Sequence, residues 1–209
     1  MASCPASVTP TVTVTGVTSG GQYVFGAGPT PGCNSTDGLS GIATAAAVAI
    51  TTPPGGVGLY TATCSGAVDV AGNPQAANVS VNYTVVYGFG GFLSPLPKST
   101  LTSSGSNIPV KFRLTNASGE PISASLSAAL AAAGKVQVTL AGPPAVSQTV
   151  LCSWDAGNLF FQCNIKTPKD LLTGFGNPYT ITAYEDVGTG FVVAPPVGTA
   201  VNPETVYFK

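Results

Sequence analysis

Apolar and polar residues alternate at every second position in several segments of this chain of 209 residues. Thr11–Thr15 reads Thr-Val-Thr-Val-Thr, and Val79–Val85 also carries apolar residues at alternate positions. The clearest case is Ile108–Leu114, where apolar residues alternate with proline, lysine and arginine. Successive side chains of a β-strand point to opposite faces of its sheet. The pattern therefore predicts strands that bury one face.

Turn-forming residues separate these segments. Signals such as Pro53–Gly56 and Asp69–Asn73 recur about every 8–12 residues in the first part of the chain, which is the spacing expected of a β-sandwich. Further on, Val150–Trp154 and Leu159–Lys166 predict a hairpin. Its predicted inward-facing residues are Leu159, Phe161, Cys163 and Ile165. The one segment with helical character is Ser123–Ala133.

These elements predict an all-β protein of two tandem antiparallel β-sandwiches. We place the domains at residues 1–86 and 87–209. The stretch Val85–Phe92 stays apolar, so the last strand of the first domain is expected to run almost directly into the second.

Charge is scarce. Only 7% of the residues are charged, against about 25% in an average soluble protein. The net charge of −1 predicts no nucleic-acid partner and no binding to an anionic membrane surface. The first 86 residues contain Asp37 and Asp69 and no lysine or arginine. Such a surface has little charge repulsion to keep copies apart, which favours protein–protein contacts and self-association.

No apolar run approaches the roughly 18 residues that a membrane-spanning helix needs, so no membrane span is predicted. Met1–Cys4 lacks the charged and apolar regions of a signal peptide. We therefore interpret the chain as a mature or excised fragment that carries a start methionine.

Five cysteines and no histidine favour disulfides over a zinc site, because the cysteines also lack C-x-x-C spacing. We predict the pairs Cys33–Cys64 and Cys152–Cys163, with Cys4 left over. The first pair would close a loop of about 30 residues and stabilise the fold by roughly 3–4 kcal/mol. Disulfides indicate an oxidising, extracellular location.

Catalytic chemistry has little support in the sequence. General acid–base catalysis most often uses histidine, which is absent. The adjacent acids Glu185 and Asp186 would point to opposite faces of a strand. We predict that the protein is not an enzyme and uses no cofactor.

Calcium is the metal for which ligands exist. Asp37, Asp69 and Asn73 could supply hard oxygen ligands within turns. Asp and Asn also stabilise turns through their own backbone without any ion, and this interpretation is preferred.

Two other kinds of site stay open. An intramolecular isopeptide bond would need a buried lysine, for which Lys135 and Lys166 are the residues to test. Sugars stack on exposed aromatic rings, and the aromatic residues that could serve are Trp154, Phe160, Tyr184 and Phe191. Core packing is the preferred role of such rings.

The chain resembles two modules of bacterial surface proteins. Residues from about 11 to 86 resemble an immunoglobulin-like repeat of the hyalin-repeat type, on the segments Pro31–Cys33, Thr36–Gly41, Gly58–Cys64, Asp69–Asn73 and Val81–Val85. Residues from about 87 to 209 resemble the module called PxKD, on Tyr87–Phe92, Ile108–Leu114 and Lys166–Lys169.

The resemblance implies two immunoglobulin-like β-sandwiches in an exported, cell-surface protein without catalysis. We therefore expect a structural or adhesive module of an extracellular bacterial surface protein. One alternative is a self-assembling subunit of an extracellular filament, built by β-strand addition. A second is a carbohydrate-binding module with surface glycans as partners.

Overall fold

The computed structural model describes residues 8–96 and 103–209. Within these residues the chain forms seventeen strands and a single α-helix. The strand pairs whose register is known are antiparallel. The predicted all-β fold class is confirmed. Cys4 and the predicted features of Met1–Cys4 lie outside the described residues.

The chain divides into two compact units. The first contains the described residues up to Tyr23 together with Ala27–Val85, and the second contains Val24–Gly26 and Val86–Lys209. The module families expected for residues 1–86 and 87–209 stay a prediction, because a division into compact units does not identify a family.

The first unit is built on eight strands, the second and eighth of which end in residues of the other unit. They are β1 (Thr11–Thr15), β2 (Gln22–Val24), β3 (Gly32–Thr36), β4 (Ile42–Thr44), β5 (Ala47–Thr51), β6 (Gly58–Ser65), β7 (Val68–Asp69) and β8 (Val79–Val86). The main sheet has the order β2-β8-β6-β5, and the pairs β1-β3 and β4-β7 form two small sheets.

The core of the first unit lies on one face of β6 and β8. Ala62 and Cys64 alternate with exposed or half-buried residues of β6 and are fully buried. Val12 of β1 packs beside Cys64, and Tyr83 of β8 packs beside Ala62. The alternation expected from the sequence thus forms the core contacts between the β1-β3 sheet and the main sheet.

The second unit contains nine strands and the helix. They are β9 (Gly88–Leu93), β10 (Asn107–Thr115), α1 (Ala124–Ala132), β11 (Val136–Gly142), β12 (Val146–Leu151), β13 (Ser153–Asp155), β14 (Phe160–Lys166), β15 (Tyr179–Asp186), β16 (Phe191–Val193) and β17 (Glu204–Val206). One sheet has the order β13-β14-β10-β9, and the other has the order β12-β11-β15-β16 with β17 also paired to β15.

The core of the second unit is rich in aromatic rings. Phe112 is fully buried in β10 and lies 5.6 Å, centroid to centroid, from both Phe89 and Phe161. Phe161 also meets Trp154 of β13, with 5.1 Å between ring centroids. Tyr179 and Ile181 are fully buried on the facing β15. Strict alternation in β10, β14 and β15 directs these side chains inward.

Candidate functional site

Among the described residues each unit contains one disulfide, and both pairings are those predicted from the sequence. Cys33 of β3 bonds Cys64 of β6, with 5.7 Å between their Cα atoms, and so joins two different sheets. Cys152 bonds Cys163 of β14, with 4.4 Å between their Cα atoms. Cys152 lies between β12 and β13, where the chain passes from one sheet of the second unit to the other.

Asp37 organises a turn before β4. Its Oδ1 accepts hydrogen bonds from the backbone N–H groups of Leu39, Ser40 and Gly41, at 3.0, 2.6 and 3.0 Å. Its Oδ2 is shielded from solvent and has no hydrogen-bond partner among the described residues. The backbone N–H of Ser40 is the main group that holds the pKa of Asp37 below its ordinary value. Asp37 thus serves a turn, as preferred above.

Asp69 serves the next turn in the same way. It is 1% exposed. Its Oδ1 accepts from the backbone N–H of Asn73 at 2.6 Å, and its Oδ2 accepts from Asn73 Nδ2 at 2.7 Å. Burial opposes the charged form, but the bonds from Asn73 and the Ser40 hydroxyl outweigh it and lower the pKa of Asp69.

The structure brings the two predicted calcium positions together. β4 pairs with β7 so that Ile42 lies opposite Asp69, and the Ser40 hydroxyl also bonds Asp37. The spacing of 32 residues between Asp37 and Asp69 hid this proximity in the sequence. No group of three or more metal-ligating His, Cys, Asp or Glu side chains occurs in the described residues. The calcium assignment stays a prediction.

Glu185 is a buried acid whose environment the sequence analysis did not identify. It is 1% exposed, on the inward face of β15 that also carries Tyr179, Ile181 and Ala183. Neither carboxylate oxygen makes a hydrogen bond of normal geometry in the described part of the chain. Burial raises the pKa of Glu185 to about 8, although the backbone N–H of Tyr87 favours the charged form. The period-two pattern of β15 was the signal that could have located it.

An apolar cavity of about 310 Å³ lies in the second unit beside the start of α1. Residues that line it include Arg113, Leu114, Ile122, Ala124, Trp154 and Leu159. β10 extends beyond its paired region with β14, because the pairing of the two strands ends at Phe112 and Phe161. Arg113 and Leu114 therefore extend beside the turn that precedes β14.

The turn between β13 and β14 forms one rim of this cavity. Asp155 Oδ1 accepts from the N–H groups of Gly157 and Asn158, at 3.0 Å each. The chain then adopts a left-handed conformation at Leu159, with φ of 56°. The sequence prediction that Leu159 faces inward is wrong. The left-handed residue interrupts the alternation, so Leu159 is 49% exposed.

Arg113 is fixed against this turn. Its Nε donates to the carbonyl oxygen of Leu159 at 2.8 Å, and its Nη2 donates to that of Asn158 at 3.5 Å. A guanidinium has five N–H donors, so three remain. Among the described residues Arg113 makes no other hydrogen bond and no ion pair.

The four aromatic residues considered for sugar stacking do not form one platform. Trp154 lies opposite Phe161 and shares its inward face, whereas Phe160 lies opposite Asp155 on the other face. The Lys111 ammonium sits 5.1 Å from the centre of the Phe160 ring. Tyr184 and Phe191 belong to the other sheet, on β15 and β16. Of the two lysines that could form an isopeptide bond, Lys166 is exposed and Lys135 is half-buried, so neither is the buried lysine that such a bond needs.

A sheet edge without charged residues lies in the first unit. β5 is the last strand of its sheet and pairs only with β6 in the sheet order. All five of its residues are exposed. Val48 and Ile50 lie opposite Cys64 and Ala62, which places them on the core face of the sheet, yet they are 39% and 43% exposed.

Membrane insertion through a helix has no support in the described residues, since none of their helices is long and apolar enough to cross a bilayer.

Comparisons with known proteins add little. No family model and no curated protein matches the chain. Among solved structures, the chain is similar to fibronectin(III)-like modules of Clostridium thermocellum CbhA, at 12% sequence identity and a TM-score of 0.31, over 95% of this chain and 94% of that chain. A likeness at this TM-score is too weak to carry an argument.

Proposed function

We propose that the chain is a non-catalytic structural or adhesive part of an extracellular protein. The observation that carries this proposal is the disulfide in each unit. One joins two sheets, and the other secures the corner where the chain changes sheet. Cross-links of this kind persist in oxidising compartments and protect a fold outside the cell. The resemblance to hyalin-repeat and PxKD modules supports a bacterial cell-surface protein as the parent.

The test compares the oxidised and reduced chains under protease. The oxidised chain is expected to resist digestion at concentrations that cleave the reduced chain. It should show at most one free thiol, because the two disulfides use four of the five cysteines. Equal resistance of both forms would show that the disulfides do not serve durability, and the proposal would lose its main support.

Self-association by strand addition is the second proposed function, and the β5 edge favours it. Natural edge strands are usually guarded by charge, proline or a bulge. β5 reads Ala-Val-Ala-Ile-Thr, so it contains neither a charged residue nor a proline. It has no bulge either, because its pairing with β6 is regular along all five residues.

The β5 sequence is also suited to pair with itself. In an antiparallel pair centred on Ala49, Val48 lies opposite Ile50 of the second copy and Ala47 lies opposite Thr51 of the second copy. This pairing brings no like charges together, because β5 contains no charged residue and the only charged residues of the first unit are Asp37 and Asp69. The two partly exposed core-face side chains of each copy would be covered in this pairing, with apolar side chains meeting across strands.

Sedimentation velocity over a concentration series, with negative-stain microscopy, tests this second function. Cys4 should be replaced by serine to exclude intermolecular disulfides. Val48→Lys is expected to abolish concentration-dependent association. Val70→Lys is the matched control, since Val70 is 66% exposed in the same unit but outside β5. A parent chain that stays monomeric, or a Val48→Lys chain that associates equally, would exclude the β5 edge.

A further inference from the structure

The cavity beside Trp154 combines an apolar interior with a cation at its rim. Leu114 and Ile122 contribute aliphatic surface, and Trp154 contributes an aromatic ring. Leu114 is almost fully buried, so it forms part of the interior rather than the surface. A volume of about 310 Å³ lies at the lower end of the roughly 300–1,000 Å³ range of small-molecule sites.

The cavity has few polar groups, and they differ in whether their hydrogen-bond donors are already used. Ser127 lines it, but its hydroxyl already donates to the carbonyl oxygen of Ser123 at 3.0 Å. Arg113 is different, because three of its five N–H donors are unused among the described residues. A sugar needs many polar partners around its ring, so this cavity does not suit one. A ligand with one anionic group and an apolar body does.

The guanidinium is held in place before any ligand arrives. Its bonds to the carbonyl oxygens of Leu159 and Asn158 fix it against the turn, and Asp155 in turn holds that turn through two backbone N–H groups. The left-handed backbone at Leu159 is an uncommon conformation for a leucine. Such conformations cluster at ligand-binding positions.

We propose that this cavity binds a small apolar carboxylate, such as an aryl acid. The apolar body fills the space between Leu114, Ile122 and Trp154, and the carboxylate accepts hydrogen bonds from the free N–H groups of Arg113. Arginine suits this role, because its planar fork matches the two oxygens of a carboxylate. The site is independent of the structural role proposed above.

Trp154 is the single tryptophan of the chain, so its fluorescence reports occupancy directly. The probes are phenylacetate, its uncharged analogue phenylacetamide, and acetate. Phenylacetate is expected to give a saturable change with a Kd of about 1 mM or tighter, a value that corresponds to roughly −4 kcal/mol of binding free energy. Phenylacetamide should bind at least tenfold more weakly, and acetate should give no change.

Two variants distinguish recognition of the carboxylate by Arg113 from a general loss of the cavity. Arg113→Met should weaken phenylacetate at least tenfold while leaving phenylacetamide unchanged. A loss of both probes would mean that Arg113 only supports the turn, which would overturn the proposed recognition of a carboxylate.

The second variant fills the cavity without touching Arg113. Ala124→Phe should abolish binding of phenylacetate, whereas Ala129→Phe, on the same helix but outside the cavity lining, should bind like the parent chain. Absence of any saturable change with phenylacetate up to about ten times the expected Kd, or unchanged binding to the Ala124→Phe chain, would overturn the proposal.

Discussion

The two units reach a folded state by different means. In the first unit the buried core is small, and its fully buried side chains are small ones, such as Ala67 near the Cys33–Cys64 bond and Ala62 beside Tyr83. In the second unit Phe89, Phe112 and Phe161 form a continuous set of contacting rings. Large buried rings contribute more hydrophobic free energy than alanines, so the second unit can rely on packing.

The difference also appears at the sheet edges and in polar groups. The first unit leaves Val48 and Ile50 partly uncovered on the core face of its sheet. The second unit covers its core well enough to bury the unpaired carboxyl of Glu185. A small unit with an incomplete core depends on a cross-link, whereas a larger unit tolerates an unfavourable buried group because the remaining packing offsets its cost.

The largest expected effect is the loss of a ring from the second unit. Phe112→Ala should lower the free energy of unfolding of that unit by about 3–5 kcal/mol, through lost burial and the cavity that remains. Urea unfolding followed by Trp154 fluorescence measures it, because this tryptophan belongs to the second unit. Phe160→Ala is the matched control. It removes a half-buried ring from β14, the strand that pairs with β10, and should lower the free energy of unfolding by less. Equal costs would contradict the contrast drawn between core and surface rings.

The next effect tests the cross-link of the first unit. Replacing Cys33 and Cys64 together by serine should destabilise that unit by about 3–4 kcal/mol, on the loop-entropy model for a separation of 31 residues. Hydrogen exchange of peptides from β6 and β8 measures it without interference from the second unit. The matched variant replaces Cys152 and Cys163, whose separation is 11 residues, and should cost about 3 kcal/mol in the second unit.

Protection of the β6 and β8 peptides that is unchanged in the Cys33/Cys64 variant would show that the small core holds the first unit without help. The proposed contrast between the two units would then fail.

The last effect concerns Glu185, and it is a dependence on pH rather than a loss at one pH. Its pKa is raised to about 8 from an ordinary value of 4.5. Between these values the folded chain keeps a proton that the unfolded chain has released, so stability falls as pH rises through this window and is greatest below it. Stability should fall by about 1.4 kcal/mol for each pH unit inside this window.

Glu185→Gln cannot ionise and should flatten this dependence between pH 4.5 and 8. Thermal unfolding at several pH values measures the slope, and Glu120→Gln at an exposed position is the control that should keep it. An identical slope in the parent and Glu185→Gln chains would show that another group causes the dependence.

Local pattern predicted much of the fold because alternation and turns are short-range properties. β1, β8, β10 and β14 lie where period-two segments occur, and α1 occupies Ala124–Ala132 within the predicted helical stretch. Leu159 is the exception, because a left-handed residue at the end of a turn breaks the period at the position where the sequence predicts the start of the strand. The geometry of this turn depends on hydrogen bonds from Arg113 and to Asp155, and the alternation of apolar and polar residues carries no information about them.

Sites were harder to predict than strands. The sequence identified Asp37 and Asp69 as separate positions, but only the β4-β7 pairing brings them near one another. Trp154 and Phe160 are two of the four candidate rings for sugar stacking, and the strand register places them on opposite faces. The cavity beside Trp154 needs β10, α1 and a turn together, and no single segment signals it.

The sequence by itself determined the all-β class and the absence of histidine-based chemistry, because composition and alternation require no knowledge of distant contacts. It also predicted both disulfide pairings, which the structure confirmed. Only the tertiary structure decided where the sheet edge stays open, which acid is buried and where a cavity forms. These properties depend on which strands become neighbours, and strand order is set by long-range packing rather than by the local pattern along the chain.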